Sequence, residues 1–196
     1  MSPDPLLPIG EGHTALGEDE REGLIPSYIA TRGELFEAEE RNITRAMYRK
    51  APTADQLLKD AYLRRLHRDM FGDVWSWAGE YRTRDTNIGI SFEQVSAAVR
   101  SLVLDAQMWV ESCVYLPDEL AVRFHHRLVA VHAFSNGNGR HARIAADYLV
   151  TALDAERFSW GARLSGSTYD LRRRYVSALR SADDGVLTEL VRFARS

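Results

Sequence analysis

The chain is predicted to be all-α with one small β-hairpin, and three observations lead there. Past residue 30, apolar residues recur three and four apart in stretch after stretch, the spacing of a helix with one buried face. Several stretches open on a capping Ser or Thr or an early proline. Only "WSWAGEYRTRDTNIGISF" departs from helical period. With 196 residues, 45% apolar and 27% charged, the composition fits one globular domain with an ample core.

Residues 1–26 hold four of the six prolines and the acidic run "GEDEREG", so they read as an extended lead-in to a domain over 27–196. "TRGELFEAEERNITRAMYRK" follows as a helix, with Leu35, Phe36, Ile43 and Met47 on an apolar stripe and Pro52 as its stop. In "TADQLLKDAYLRRLHRDMFG", Thr53 and Gln56 have capping-box spacing and Gly72 closes a helix of about five turns. Tyr81, Thr83, Ile88 and Ile90 around the polar "RDTN" suit a short hairpin or flap, anchored by Trp75 and Trp77. Ser91 and Gln94 are placed to cap the next helix, and Cys113 after it reads as a buried thiol. Pro117 opens a buried helix through Leu120, Phe124, Leu128 and Val131. A further stripe runs through Ile144, Ala145, Tyr148, Leu149, Ala152 and Leu153, and two shorter helices cover "STYDLRRRYVSALRSA" and "GVLTELVRFARS".

Composition narrows the function. With 25 basic and 28 acidic residues the net charge is −3, which disfavours wholesale binding to DNA or membranes. The three arginines of "LRRRY" point in different directions on a helix and read as solvated. A single cysteine excludes an internal disulfide and a cysteine zinc site. No apolar run approaches a membrane span and the N-terminus lacks a secretory pattern, so the expected location is the cytoplasm.

The chemistry concentrates in "HAFSNGNGRHAR", His132 to Arg143, between two helical patterns. Gly137, Asn138 and Gly139 allow positive φ and let backbone amides converge on an anion. The next helix begins there, adding its unpaired N–H groups and positive dipole end. Arg140 and Arg143, three apart, share a face from which guanidinium forks can grip phosphate, and Asp147, one turn on, can hold Arg143. His132, before the loop, is the proton acceptor suited to a hydroxyl attacking phosphorus. Phe134 reads as a core anchor under the loop, His125 as a packed and hydrogen-bonded residue, and His141 as solvent-exposed.

This stretch resembles the signature of the Fic family: histidine, proline, phenylalanine, any residue, acid, Gly-Asn-Gly-Arg, two residues, arginine. "FHHRLVAV" and "MFGDVWSWAGEYR" are also similar to Fic sequence, and "EREGLIP" looks like the lead-in of the group called mobile mystery protein B. The resemblance implies a Fic-type helical domain that transfers AMP from ATP to a hydroxyl of a protein target. It assigns His132 as general base, Gly137, Asn138 and Gly139 as phosphate cradle, and Arg140 and Arg143 as clamps. The segment from Thr83 to Ile90, with Thr83, Asn87 and Ile88, becomes the flap that aligns a target by strand addition. Ala133 stands where the family has proline. Asn136 stands where it commonly has a carboxylate for the Mg²⁺ that bridges the ATP phosphates; a neutral oxygen there implies weaker binding of Mg²⁺ or Mn²⁺.

Many Fic proteins carry an inhibitory helix whose glutamate pairs with the second signature arginine. "LFEAEERNI" resembles the tail of that motif, which puts Glu40 at the glutamate, facing Arg143, and Asn42 beside it; Phe36 stands where a serine or threonine is expected. An ordinary acidic helix face explains the same residues. Two other readings of the whole stand beside the adenylyltransferase: a nucleotide-binding interaction module working through a regulatory partner protein, and Fic-type transfer of a different phosphoryl or nucleotidyl group.

Overall fold

The computed structural model describes residues 21–196. Its α-helices are α1 (Arg32–Met47), α2 (Ala54–Leu57), α3 (Asp60–Phe71), α4 (Val95–Glu111), α5 (Pro117–Val131), α6 (Asn138–Ala152), α7 (Thr168–Asp183) and α8 (Thr188–Arg195). Helices α5 and α6 pack together most extensively, with α4 against α5, α1 against α3, and α7 paired with α8. Ala142, Ala145 and Ala146 are fully buried on α6, and their small side chains let neighbouring helices come close. Phe124, Leu120 and Leu149 fill the space between.

Helix α1 opens on a capping box in which Thr31 Oγ1 accepts from Glu34 N–H and the Glu34 carboxylate accepts from Thr31 N–H. Its buried face runs Leu35, Ala38, Glu39, Asn42, Ile43, Ala46. Phe36, expected on that stripe, is exposed: it lies about 100° around the helix from Leu35, and Leu35 has the inward position. Two polar residues therefore sit on the buried face. Asn42 secures α1 to α3 by donating to Asp69 O (2.9 Å) and accepting from Asp73 N–H (2.9 Å).

The helix expected from Thr53 to Gly72 starts on its predicted capping box but breaks at Leu58, where ψ is 55°. Leu57 and Leu58 are both fully buried at the break, and Gln107 captures the freed Leu58 carbonyl at 2.8 Å. Ser91 opens a 3-10 turn (Phe92–Gln94) before α4 without a side-chain cap, whereas Pro117 takes its expected place in the first turn of α5. Cys113 is exposed rather than buried; it lies past the end of α4 with φ 48°.

The hairpin does not form. Among the described residues the only β pairing is an isolated bridge between Leu24 and Trp75. Side chains take over the work of a ladder between 81 and 92: Thr86 Oγ1 donates to Ile88 O (2.6 Å), Asp85 Oδ1 accepts from Phe92 N–H (2.8 Å), and Arg82 binds several carbonyls. Of the lead-in, residues 1–20 lie outside the described residues; Gly23 and Ile25 bond to Ser76 and Val74, attaching residues 21–26 to the loop after α3. No described helix is long and apolar enough to cross a membrane.

Candidate active site

Helix α5 ends at His132, whose left-handed conformation (φ 54°, ψ 58°) turns the chain out of the helix. Asn138 then closes the following loop with its side chain, accepting from Phe134 N–H at 2.9 Å and donating to Phe134 O at 2.6 Å. Asn138 is thus buried structural support, and what it offers an anion is backbone. Gly137 caps α6 at φ 78° with no side-chain cap. A Cβ there would lie 2.5 Å from Phe71 Cζ, so conformation and space both demand glycine. Asn136, Gly139, Arg140 and Arg143 remain partly open to solvent around a buried loop. The uncapped start of α6, with its dipole, thus has two partly open arginines in its first two turns, the kinds of group that suit an anion.

The guanidinium of Arg140 lies 4.9 Å above the Phe71 ring, so one phenylalanine supports both the cap glycine and the first arginine. Arg140 Nη1 is 2.8 Å from Glu39 Oε2, and the other Glu39 oxygen accepts from Trp75 Nε1 at 2.8 Å. This corrects the expected pairing of Glu40 with Arg143. Glu40 stands 4.0 Å from Arg140 and is more exposed, because Glu39 and not Glu40 falls on the buried face of α1. Arg143 instead lies over the Tyr175 ring, 5.3 Å from its centre. Asp147 does not hold Arg143 directly; it is committed to Arg157 Nε (2.9 Å) and Trp160 Nε1 (2.8 Å), and burial raises its pKa against those two bonds. Nor is "LRRRY" wholly solvated. Partial burial and then the charge of Arg143 lower the pKa of Arg172, so α7 brings a third arginine toward the pair on α6.

His132 is buried, at 6% exposure. Burial first and the Arg82 charge second lower its pKa to about 4, opposed by a bond to the Val129 backbone, so at neutral pH the imidazole is neutral and able to accept a proton. Gly89, with φ 101°, packs against it so closely that a Cβ would lie 2.5 Å from His132 Cβ. Within the covering segment Thr83 and Asn87 are exposed and Ile88 is half-buried.

Several supporting residues escaped the sequence reading. His67, fully buried in α3, stacks on Phe134 with ring centres 3.8 Å apart. It accepts from Gly79 N–H through Nδ1 (3.0 Å), which leaves the Nε2 proton to donate to Asn136 O (2.9 Å). Burial holds it neutral, well below its ordinary pKa. Arg82, Glu39, Phe71 and Tyr175 belong to the same group; only the position of His67 and Phe71 on an apolar helix face hinted at any of them. His141 is buried, not exposed, and donates to Leu63 O at 2.9 Å. His125 is packed and bonded as expected, with Nε2 3.1 Å from the Tyr175 hydroxyl.

Among the described residues no group of three or more His, Cys, Asp or Glu is placed to hold a metal ion. Asn136 offers one neutral oxygen, and that oxygen accepts from Gly137 N–H at 2.7 Å. The chain's own donors do not fit a resident cation.

Residues 57–150 match the family model for the Fic/DOC family. No curated protein sequence matches the chain. Among solved structures, the N-terminal Fic domain of Bep8 from Bartonella sp. 1-1C is 13% identical, with a TM-score of 0.68 over 90% of this chain and 95% of that one. BepC from Bartonella tribocorum, with bound AMPPNP, is 16% identical, with a TM-score of 0.66 over 91% and 97%. Fic-1 (aa134–508) from C. elegans is 22% identical, with a TM-score of 0.61 over 90% of this chain and 51% of that one. At these identities the structures establish a shared fold. The match to the Fic/DOC family lies over residues 57–150, which contain His132, the glycine loop and both arginines.

Proposed function

We propose that this chain is a protein adenylyltransferase that moves AMP from ATP to a hydroxyl of a protein target and is held at rest by α1. One observation carries the reading: the uncapped start of α6, flanked by Arg140 and Arg143, follows directly on a neutral, buried His132. The bound AMPPNP of BepC and the bound ADP of a Bartonella quintana Fic domain support a nucleotide as the ligand.

The chain's part in the reaction is positioning and charge compensation. Amides at the start of α6 and the two guanidiniums hold the phosphates and spread the charge that builds on them. His132 takes the proton of the target hydroxyl, the oxygen bonds to the α-phosphorus, and the bond from that phosphorus to the bridging oxygen breaks to release pyrophosphate. Mg²⁺ or Mn²⁺ arrives with the nucleotide as part of the substrate. Residues 83–90, with Thr83, Asn87 and Ile88, would line up the target's backbone.

At rest, Glu39 occupies Arg140 and so competes with phosphate for it. A second reading, a nucleotide-binding module served by a regulatory partner, draws on the engagement of the Asn136 oxygen by Gly137 N–H. Incubation of the Glu39→Gly chain with ATP labelled at the α- or the γ-phosphate separates the readings. Adenylyl transfer puts α-label on protein, a kinase puts γ-label there, and binding without either label supports the module.

A further inference from the structure

Residues 83–91 have no strand partner, yet they close over His132. Their connections to the signature loop converge on Arg82, which is buried at 3% exposure. Its backbone N–H donates to Ala133 O at 3.0 Å and its Nε to His132 O at 2.7 Å. The two terminal nitrogens reach the other way, Nη1 to Arg84 O at 2.9 Å and Nη2 to Ile90 O, with the Asp85 carboxylate 3.6 Å from Nη1. One planar group thus holds the peptide unit of His132 and both ends of the covering segment. The left-handed turn at His132 takes its carbonyl out of the α5 ladder, so the carbonyl is available to this arginine. Gly89 completes the contact, since any side chain there would strike His132.

We propose that Arg82 is a positioning residue that locks the target-docking segment to the base, so that the backbone presenting a hydroxyl and the imidazole receiving its proton move as one unit. This rests on the reading of His132 as base and of residues 83–90 as the docking segment. The fork geometry is essential. A lysine keeps the charge but is a single point with rotatable donors, and it cannot hold carbonyls on opposite sides in one plane. The charge has a separate effect, because a cation beside His132 disfavours the imidazolium and keeps the base unprotonated to lower pH.

The test compares the full chain with Arg82→Lys, Arg82→Gln and Gly89→Ala. Amide hydrogen exchange over 83–91 is expected to quicken about tenfold in all three while α6 stays protected. ATP affinity should hold within about twofold, and the transfer rate at saturating ATP should fall about tenfold. The acid limb of the pH–rate profile should move upward in Arg82→Gln and stay in place in Arg82→Lys. Unchanged exchange and an unchanged rate in a folded Arg82→Gln protein overturn the proposal. If neither Arg82 variant folds, Gly89→Ala decides: normal exchange and a normal rate there count equally against it. If the Glu39→Gly chain, in which the α1 contact to Arg140 is removed, transfers no label, the adenylyltransferase reading is struck, while exchange and NMR titration of the His132 imidazole still decide the Arg82 link.

Discussion

Glu39 and Arg140 are 101 residues apart in the chain and 2.8 Å apart in space, and that pair joins α1 to the first turn of α6. The glutamate is buried and the arginine largely so, which makes the contact tighter than an exposed ion pair. Glu39→Gly is expected to bind ATP about tenfold more tightly and to transfer label faster, since Arg140 is then free for phosphate. Loss of the Trp75 bond lowers stability by about 1–3 kcal/mol in the same variant. Glu40→Gly should change neither by more than about twofold. Isothermal titration with ATP checks both, and equal responses to the two substitutions would contradict the assignment.

Asn136 supplies a neutral oxygen where a carboxylate would add charge. Asn136→Asp is expected to raise the transfer rate at limiting Mg²⁺, on the order of tenfold, with little change at saturating Mg²⁺. The Mg²⁺ dependence of label transfer measures this, and superimposable curves for the two proteins would remove Asn136 from any role near the metal.

Gly137→Ala introduces a Cβ 2.5 Å from Phe71 Cζ at a φ of 78°. The backbone penalty alone is about 1–2 kcal/mol, and displacement of Phe71 adds to it. Phe71 also carries Arg140, so nucleotide affinity should fall together with the melting temperature. Loss of stability at constant ATP affinity would show that Phe71 supports the cap glycine without positioning the arginine.

Acid should unfold this protein early. His125, His132 and His141 have pKa values lowered by burial to about 3, 4 and 4, and His67 is held well below its ordinary value by the same cause. Each histidine binds a proton in the unfolded chain near pH 6.5 and resists it in the folded one, so its contribution is complete above that pH and is lost as pH falls toward the folded values. Each costs about 1.4 kcal/mol per pH unit in that window. Melting temperature should be flat above pH 7 and drop steeply between about 6 and 4. A flat profile down to about pH 4.5 would show that these imidazoles are not buried.

The helical architecture and the loop that leads into α6 were legible because both are local: stripes, the Thr53 cap, Pro117, and a glycine pair beside two arginines all act within a few residues. What was hidden depends on pairs far apart in sequence. Neither Glu39 nor Glu40 announces which faces inward until α1 is docked on α3, and a one-residue rotation changes the partner. The hairpin was misread because alternating Thr83, Ile88 and Ile90 have the pattern of strands but no neighbour to pair with. Arg82 left no signal at all, since an arginine in a polar stretch looks solvated until its carbonyl partners are assembled around it.

As proposed, the loop after α5 holds ATP with its α-phosphorus in reach of a neutral His132. The most direct measurement uses the Glu39→Gly background with α-labelled ATP, with and without His132→Ala, alongside ATP binding by each protein. Label should reach protein in the single variant and fall at least about a hundredfold in the double, with ATP affinity unchanged. Equal labelling of both proteins, or none in the single variant despite ATP bound, would contradict it.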